Sequence, residues 1–286
     1  MIFLNFYNNI LSACILIILS SCNGVTQNKT KFPDTPFYNL SSPKIIELNP
    51  ALDEISGLAY YAKDTSVFGI IDEAGILYKI PLKYPDKVSS WEFGKKRDYE
   101  DMVLIDSSFY VLVSNGDVVK IMFQKDSVFT EKMDFPNASK KKNEFESLIK
   151  INDSTLAIIC KSCDDDKKSF FSSYLLNLKD TAEPYKTYIN FSTEGIVSKT
   201  GMQGHFKASA AAVNPLSGDL YIISAIQSLL LITSPEGKFK EVYKLNPEIY
   251  KQPEGITFTP QGDMVISNEF SEIGVATLLL LRNKKP

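Results

Sequence analysis

Short apolar runs, separated by turn residues, extend along the chain from about residue 44 to residue 281. The runs are rich in β-branched and aromatic residues, and turns such as Ser217-Gly218-Asp219 and Gln261-Gly262-Asp263 separate them. Runs of this kind predict β-strands. No stretch of roughly ten residues keeps a helical period of apolar positions. The hydrophobic pattern therefore predicts an all-β domain.

A short sequence pattern recurs five times, each time where an apolar run begins with a Ser or a Glu. The five polar residues are Ser56, Glu100, Glu146, Ser209 and Glu254. The steps between them are 44, 46, 63 and 45 residues, and three of these match the length of one propeller blade. Four apolar runs follow each of the first four polar residues. We therefore predict a five-bladed β-propeller with four-stranded antiparallel blades.

The fifth repeat contains only three apolar runs. An unassigned β-like run, residues 44–48, lies upstream of the first repeat. Pairing this run with residues 275–281 gives the fifth blade its fourth strand and removes an exposed sheet edge. We therefore predict that this N-terminal strand closes the ring, within a propeller domain that spans residues 44–286.

The first part of the chain has a different composition. Residues 10–19 form an apolar run that suits a signal peptide and is shorter than the roughly 20 residues that span a bilayer. The segment that follows, Leu19-Ser20-Ser21-Cys22, resembles the lipobox of bacterial lipoproteins, in which the cysteine is acylated. We predict a signal peptide over residues 1–21, lipidation at Cys22 and a flexible tether over residues 22–43.

This prediction places the domain outside the cytoplasm, with the membrane as its partner through a lipid anchor in the cell envelope. An uncleaved anchor helix is the alternative, and it places the domain on the same side. The chain has 31 Lys and Arg residues against 34 Asp and Glu residues, which gives a formal net charge of −3. Without a basic excess to neutralise a phosphate backbone, we predict no nucleic-acid partner.

Two cysteines, Cys160 and Cys163, lie within the predicted domain. An oxidising compartment favours a local disulfide between them, and a free pair is the alternative. The charged, loop-like residues 164–168 that follow do not suit a redox motif of the thioredoxin type, which needs a helix there.

The repeated polar residues predict a shared site, because the first strand of every propeller blade lines the central channel. Three carboxylates brought to one mouth of that channel need protons or a cation to balance them. Oxygen ligands without histidine or thiolate favour Ca²⁺ over Mg²⁺. The predicted ligands are Glu100, Glu146, Glu254, Ser56, Ser209, Asn268 and Glu269. In the alternative, each Glu accepts backbone N–H bonds from the neighbouring blade and holds the ring together.

Other polar residues near the strand ends are weaker candidates. Asp72 and Asn115 each precede a glycine within three residues, which favours a role in turns. The long connection of residues 192–207 contains the single histidine of the chain, His205. A lone histidine in a loop favours local hydrogen bonding, and we assign no catalytic residue.

The sequence resembles the SdiA-regulated family, also called YjiK-like proteins. The segments that carry this resemblance are Glu54-Ile-Ser-Gly-Leu-Ala, Asp98-Tyr-Glu-Asp, Phe145-Glu-Ser-Leu, Leu216-Ser-Gly-Asp-Leu-Tyr-Ile-Ile-Ser, Gln252-Pro-Glu-Gly-Ile and Ile266-Ser-Asn-Glu. The resemblance implies a five-bladed propeller, with bound calcium in some members, and it implies no established activity.

Taken with the predicted cation site, the resemblance leads us to expect a calcium-binding propeller. We expect it to act as a module for an unknown small-molecule or protein ligand, or as a scaffold. The alternative is a calcium-dependent hydrolase, either a phytase-like phosphoesterase or a lactonase-like enzyme, in which the ion polarises the substrate. A purely structural envelope protein is a third possibility.

Overall fold

The computed structural model describes residues 32–125, 127–136, 138, 142–269 and 274–284. The predicted signal peptide and Cys22 lie outside these residues. The described chain folds into five four-stranded antiparallel sheets, which are the blades of a five-bladed β-propeller. The predicted fold class is confirmed.

The strands follow one another blade by blade, except that the first strand belongs to the last blade. This first strand is β1 (Lys44–Glu47). Blade 1 contains β2 (Ile55–Tyr61), β3 (Ser66–Ile71), β4 (Ala74–Pro81) and β5 (Ser89–Glu92). Blade 2 contains β6 (Tyr99–Ile105), β7 (Ser108–Val113), β8 (Val118–Gln124) and β9 (Ser127–Met133). Blade 3 contains β10 (Glu144–Asn152), β11 (Thr155–Ser162), β12 (Phe170–Asn177) and β13 (Tyr185–Ser192). Blade 4 contains β14 (Ala210–Val213), β15 (Leu220–Ser224), β16 (Leu229–Thr233) and β17 (Phe239–Lys244). Blade 5 contains β18 (Pro253–Phe258), β19 (Met264–Asn268) and β20 (Thr277–Leu281), with β1 outermost.

The ring is closed by β1, as predicted. This strand pairs antiparallel with β20, with Lys44 opposite Leu280 and Glu47 opposite Thr277. Just after the strand, the backbone N–H of Leu48 donates to the carbonyl of Ala276 at 2.9 Å. The outer edge of β20 is therefore covered by a strand from the other end of the domain.

The hydrophobic core lies between neighbouring blades. Each of five buried clusters contains residues of two adjacent blades, and one of them combines residues of blades 5 and 1. Between blades 1 and 2, the rings of Phe68 and Phe109 lie 4.5 Å apart, centroid to centroid. Each blade thus buries an apolar face against each of its neighbours, which holds the innermost strands around one axis.

The packed unit begins before residue 44, which corrects the predicted boundary of the tether. Tyr38 and Leu40 are buried in the cluster between blades 4 and 5. The hydroxyl of Tyr38 donates to the carbonyl of Gly262 at 2.6 Å and accepts from Nδ2 of Asn214 at 2.7 Å. The buried side chain of Tyr38 thus anchors residues 35–40 to the folded unit.

Two glycines of the innermost strands are required by close approach of the next blade. A Cβ atom at Gly57 would overlap the backbone of Asp101, and one at Gly255 would overlap the carbonyl of Ser56. Any side chain there would force neighbouring blades apart. The absence of a side chain thus sets how tightly the innermost strands surround the channel.

The long connection before blade 4 contains a short helix, α1 (Glu194–Thr200), which ends at Gly201 in the left-handed conformation. Cys160 and Cys163 form a disulfide at the end of β11. In the described part of the chain, no helix combines the length and the apolar character that a membrane span requires.

Candidate functional site

One end of the central channel opens into an acidic cavity of about 360 Å³, here called the acidic mouth. Blades 1, 2, 3 and 5 supply its lining, from the starts of their innermost strands and the ends of their second strands. Of the described residues that line the cavity, eight are carboxylic acids and one, Lys161, is basic. The acids are Glu54, Asp72, Asp98, Glu100, Glu144, Glu146, Glu254 and Glu269.

The three repeated glutamates lie at β-bulges, which explains how their side chains reach the mouth. In β6 the register passes from Tyr99 directly to Asp101, so Glu100 has no cross-strand partner. The same interruption occurs at Glu146 in β10 and at Glu254 in β18. A bulge leaves one residue outside the ladder and re-aims its side chain. The sheet pairing thus presents one carboxylate from each of three blades to the channel.

The structure brings most of the predicted ligands together. Ser56, Glu100, Glu146, Glu254 and Glu269 all line the acidic mouth.

Two predicted ligands lie differently. Ser209 does not line the cavity, and its Oγ accepts from the backbone N–H of Ala225 at 3.2 Å. Asn268 is not brought to the mouth. Its Nδ2 donates to the carbonyl of Ile249 at 2.9 Å and to Oγ1 of Thr277 at 3.2 Å.

Part of the lining was not predicted from the sequence. Glu54, Asp98, Glu144 and Gln252 each lie two positions before the repeated polar residue of their blade. Their recurrence at a fixed offset was the signal that would have found them. Asp72 lies in the two-residue turn between β3 and β4, as expected, and it also lines the mouth. Asn115 forms the other expected turn, with its Oδ1 accepting from the backbone N–H of Asp117.

Burial and mutual repulsion raise the proton affinity of the mouth carboxyls. Burial first, and then the charge of Glu146, raise the pKa of Glu100 to about 10. The same two causes raise the pKa of Glu254 to about 8. Burial raises the pKa of Glu146 to about 7, against the opposing effect of Lys161. These carboxyls resist ionisation unless a positive charge joins them.

Glu146 is the carboxylate with the most informative surroundings. Its side chain is buried, with 6% of the residue exposed. Its Oε1 accepts a hydrogen bond from the ammonium of Lys161, while its Oε2 is buried and finds no partner among the described residues. A buried acceptor without a partner costs free energy. The acidic mouth therefore contains one buried carboxylate oxygen, Oε2 of Glu146, that has no hydrogen-bond partner among the described residues.

The alternative role considered for the glutamates was to accept backbone N–H bonds from the neighbouring blade. Another residue, Asp101, makes such a bond. Its Oδ2 accepts from the backbone N–H of Leu148 in blade 3 at 2.7 Å, and its Oδ1 accepts from its neighbour Met102 at 2.7 Å. Between blades 1 and 2, the hydroxyl of Ser56 donates to the carbonyl of Glu100 at 2.8 Å. This bond between the blades uses the backbone carbonyl of Glu100 rather than its carboxylate.

The opposite end of the channel is apolar. A wider cavity of about 640 Å³ opens there, lined by residues further along the innermost strands, including Leu58, Met102, Leu148 and Ile256. Each innermost strand thus presents polar groups at its start and apolar groups beyond. The carboxylates that line the channel lie at the acidic mouth, whereas Lys150 is the charged residue described in the lining of the wider cavity.

Comparison of the fold with solved structures finds other propeller proteins. The structure is similar to glutaminyl cyclase of Myxococcus xanthus, with a TM-score of 0.59 and 12% identity, covering 84% of this chain and 94% of that chain. It is similar to a gluconolactonase of Xanthomonas campestris, with a TM-score of 0.53 and 11% identity over 84% and 89% of the two chains. The chain is a β-propeller protein.

A third similar structure is regucalcin of Agrobacterium tumefaciens, a calcium-binding protein, with a TM-score of 0.50 and 11% identity over 89% of this chain and 96% of that chain. Identities this low establish the shared fold alone. No protein-family model matches the chain, and no curated protein matches it.

The raised pKa values predict an unusual dependence of stability on pH. Glu254 and Glu146 have pKa values of about 8 and about 7 in the folded protein, above their ordinary value of 4.5. Between pH 4.5 and the raised pKa of each carboxyl, the folded state binds more protons than the unfolded state. The free energy of unfolding therefore falls as pH rises from about 5 to 8 without metal, by up to about 1.4 kcal/mol per pH unit for each such carboxyl.

Urea unfolding at several pH values in the presence of a chelator measures this slope. The double variant Glu146→Gln and Glu254→Gln should flatten it, because an amide does not titrate. A slope that is the same in both proteins would mean that other groups dominate.

Proposed function

We propose that the acidic mouth binds Ca²⁺, and that the protein is a calcium-binding propeller that serves as a ligand-binding or scaffold module. The observation that carries this proposal is the buried Oε2 of Glu146, which points to a missing positive partner. The potential metal ligands that line the mouth are oxygen atoms of carboxylates, hydroxyls and the amide of Gln252, with no histidine or thiol among the described lining residues. Such a set suits a hard cation.

The spacing of the carboxylates favours a hydrated ion. Among the described residues, the one set of three potential ligands with all ligand atoms within 4.8 Å of one another is Cys160, Cys163 and Asp166. Its two sulfur atoms are joined in the disulfide, so this set offers no thiolate. The carboxylates of the mouth are spread more widely, and Ca²⁺, with six to eight flexible ligands that include water, tolerates such spacing better than Mg²⁺.

We further propose that the protein belongs to the SdiA-regulated family and is lipid-anchored at Cys22, outside the cytoplasm. The five-bladed ring and the order of the family-like segments support the first point. The apolar run and the lipobox-like residues 19–22 support the second. Labelling with a fatty-acid analogue, abolished by Cys22→Ser, tests the anchor.

Calcium titration after chelator treatment tests the metal proposal. We expect the melting temperature to rise by roughly 5–10 °C when Ca²⁺ exceeds its dissociation constant about 100-fold. In the triple variant with Glu100, Glu146 and Glu254 changed to Gln, this rise should vanish. The metal-free triple variant should be more stable than the parent, because the substitutions remove repulsion between the carboxylates.

The exposed Glu183→Gln is the matched control and should keep the full response to Ca²⁺. If the parent protein is indifferent to both chelator and Ca²⁺, the metal proposal is wrong. A triple variant that is less stable than the parent without metal would instead favour a structural role for the three carboxylates.

A lactonase-like hydrolase is the second candidate function. Glu146 and Glu254, with pKa values of about 7 and about 8, have the proton affinity of a general base at neutral pH. The eight acids and one lysine of the mouth disfavour a phosphate ester, so a neutral lactone is the better substrate class. A panel of lactones assayed with Ca²⁺ tests this, and activity should be lost in Glu146→Gln.

A further inference from the structure

Lys161 occupies a particular place in the acidic mouth. Its ammonium contacts Oε1 of Glu146, the carboxylate that carries the metal proposal. It also interacts electrostatically with Glu254 and Glu100. Among the described residues, no other basic residue lines the cavity. A single positive charge thus lies among the three carboxylates that the bulges present.

The chain around Lys161 is held in place, so this lysine differs from a mobile surface residue. It lies in β11, between the two cysteines of the disulfide. Cys160 is fully buried in the core between blades 2 and 3. The side chain of Lys161 is 27% exposed. The disulfide and the strand therefore fix the point from which the ammonium reaches Glu146.

We infer that Lys161 is an internal counter-cation that occupies part of the cation site and limits its affinity for Ca²⁺. This inference rests on the proposed function. A divalent ion can use both oxygens of Glu146 only when the ammonium moves away from Oε1, and the two positive charges repel each other at short range. In the absence of metal, the same ammonium offsets part of the repulsion between the carboxylates.

Removing the charge of Lys161 therefore has two opposite effects. The metal-free protein loses a counter-charge and becomes less stable, while the site loses a competitor and binds Ca²⁺ more tightly. We expect Lys161→Met, which keeps most of the apolar stem, to bind Ca²⁺ roughly 10- to 100-fold more tightly than the parent. Lys161→Arg keeps the charge and should bind with an affinity close to that of the parent.

Calorimetric titration of the purified protein with CaCl₂ measures these affinities. Lys207→Met is the matched control, because Lys207 lies two residues before the repeated Ser209 of blade 4 but does not line the mouth. Its affinity should stay within about threefold of the parent value. Melting temperatures with and without Ca²⁺ provide a second readout, and the rise on adding Ca²⁺ should be larger in Lys161→Met than in the parent. Lys161→Gln replaces Lys161→Met if the latter does not fold.

The outcomes separate the two claims. Tighter binding by the uncharged variants supports the inference, including the case in which only those variants bind measurably. Equal or weaker binding by an uncharged variant overturns it and leaves the calcium proposal standing. If neither the parent nor any variant binds Ca²⁺, the calcium proposal fails, and the inference fails with it.

Discussion

Deleting residues 40–50 is expected to unfold the whole propeller rather than to weaken one blade. The deletion removes β1, which supplies the outermost strand of blade 5. It also removes the buried side chains of Leu40, Ile46 and Leu48. Each buried aliphatic side chain stabilises by about 1.5–3 kcal/mol, and each backbone hydrogen bond adds about 1 kcal/mol. The sum approaches the roughly 5–15 kcal/mol that stabilises a whole domain.

The strand edge that the deletion exposes is expected to promote aggregation of the deleted protein. β20 (Thr277–Leu281) contains four consecutive leucines, and its outer edge would face solvent. A long apolar edge strand of this kind pairs readily with other chains. We therefore expect the deleted protein to be recovered as aggregate, without a cooperative thermal transition in circular dichroism.

Two adjacent residues of β1 provide a matched pair of point variants. Ile46 is 7% exposed and packs between blades 5 and 1, whereas Ile45 is 55% exposed on the opposite face of the strand. We expect Ile46→Ala to lower the free energy of unfolding by about 2–4 kcal/mol, and Ile45→Ala to change it by less than about 0.5 kcal/mol. An unchanged melting temperature in Ile46→Ala or in the deleted protein would contradict a stabilising role for ring closure.

Ring closure was predictable because it follows from counting strands. Five repeated polar residues set the number of blades, and the missing strand of the fifth repeat required a partner from elsewhere, which residues 44–48 supplied. The anchoring of Tyr38 was not predictable in the same way. It depends on one buried ring and its bonds to Gly262 and Asn214, and no hydrophobic period in the surrounding residues indicates them.

The candidate site was predictable in its centre and less so at its rim. A polar residue repeated at the start of an apolar strand is conspicuous, so Glu100, Glu146 and Glu254 stand out from the sequence. Their exact direction depends on β-bulges, which are properties of strand pairing and leave no clear mark in a single sequence. For this reason the sequence indicated Glu100 as a ligand but not that its neighbour Asp101 bonds to the backbone of blade 3.

Asp101 is the residue whose replacement should destabilise the fold most among the carboxylates near the channel. It is 2% exposed, and it accepts backbone N–H bonds from Met102 and, across the blade boundary, from Leu148. Asp101→Ala leaves two buried donors without partners, and each costs about 1–3 kcal/mol. We expect a loss of about 2–6 kcal/mol in the free energy of unfolding, measured by urea denaturation.

Asp101→Asn should lie between the parent and the alanine variant, because the amide keeps one acceptor oxygen. The exposed Asp86→Ala is the control and should change the stability by less than about 0.5 kcal/mol. Asp101 does not line the acidic mouth, so folded Asp101→Asn should still be stabilised by Ca²⁺ to the same extent as the parent. Loss of that response would mean that the bond from Asp101 to blade 3 also positions Glu146, two residues before Leu148, and that ring cohesion and cation binding are coupled.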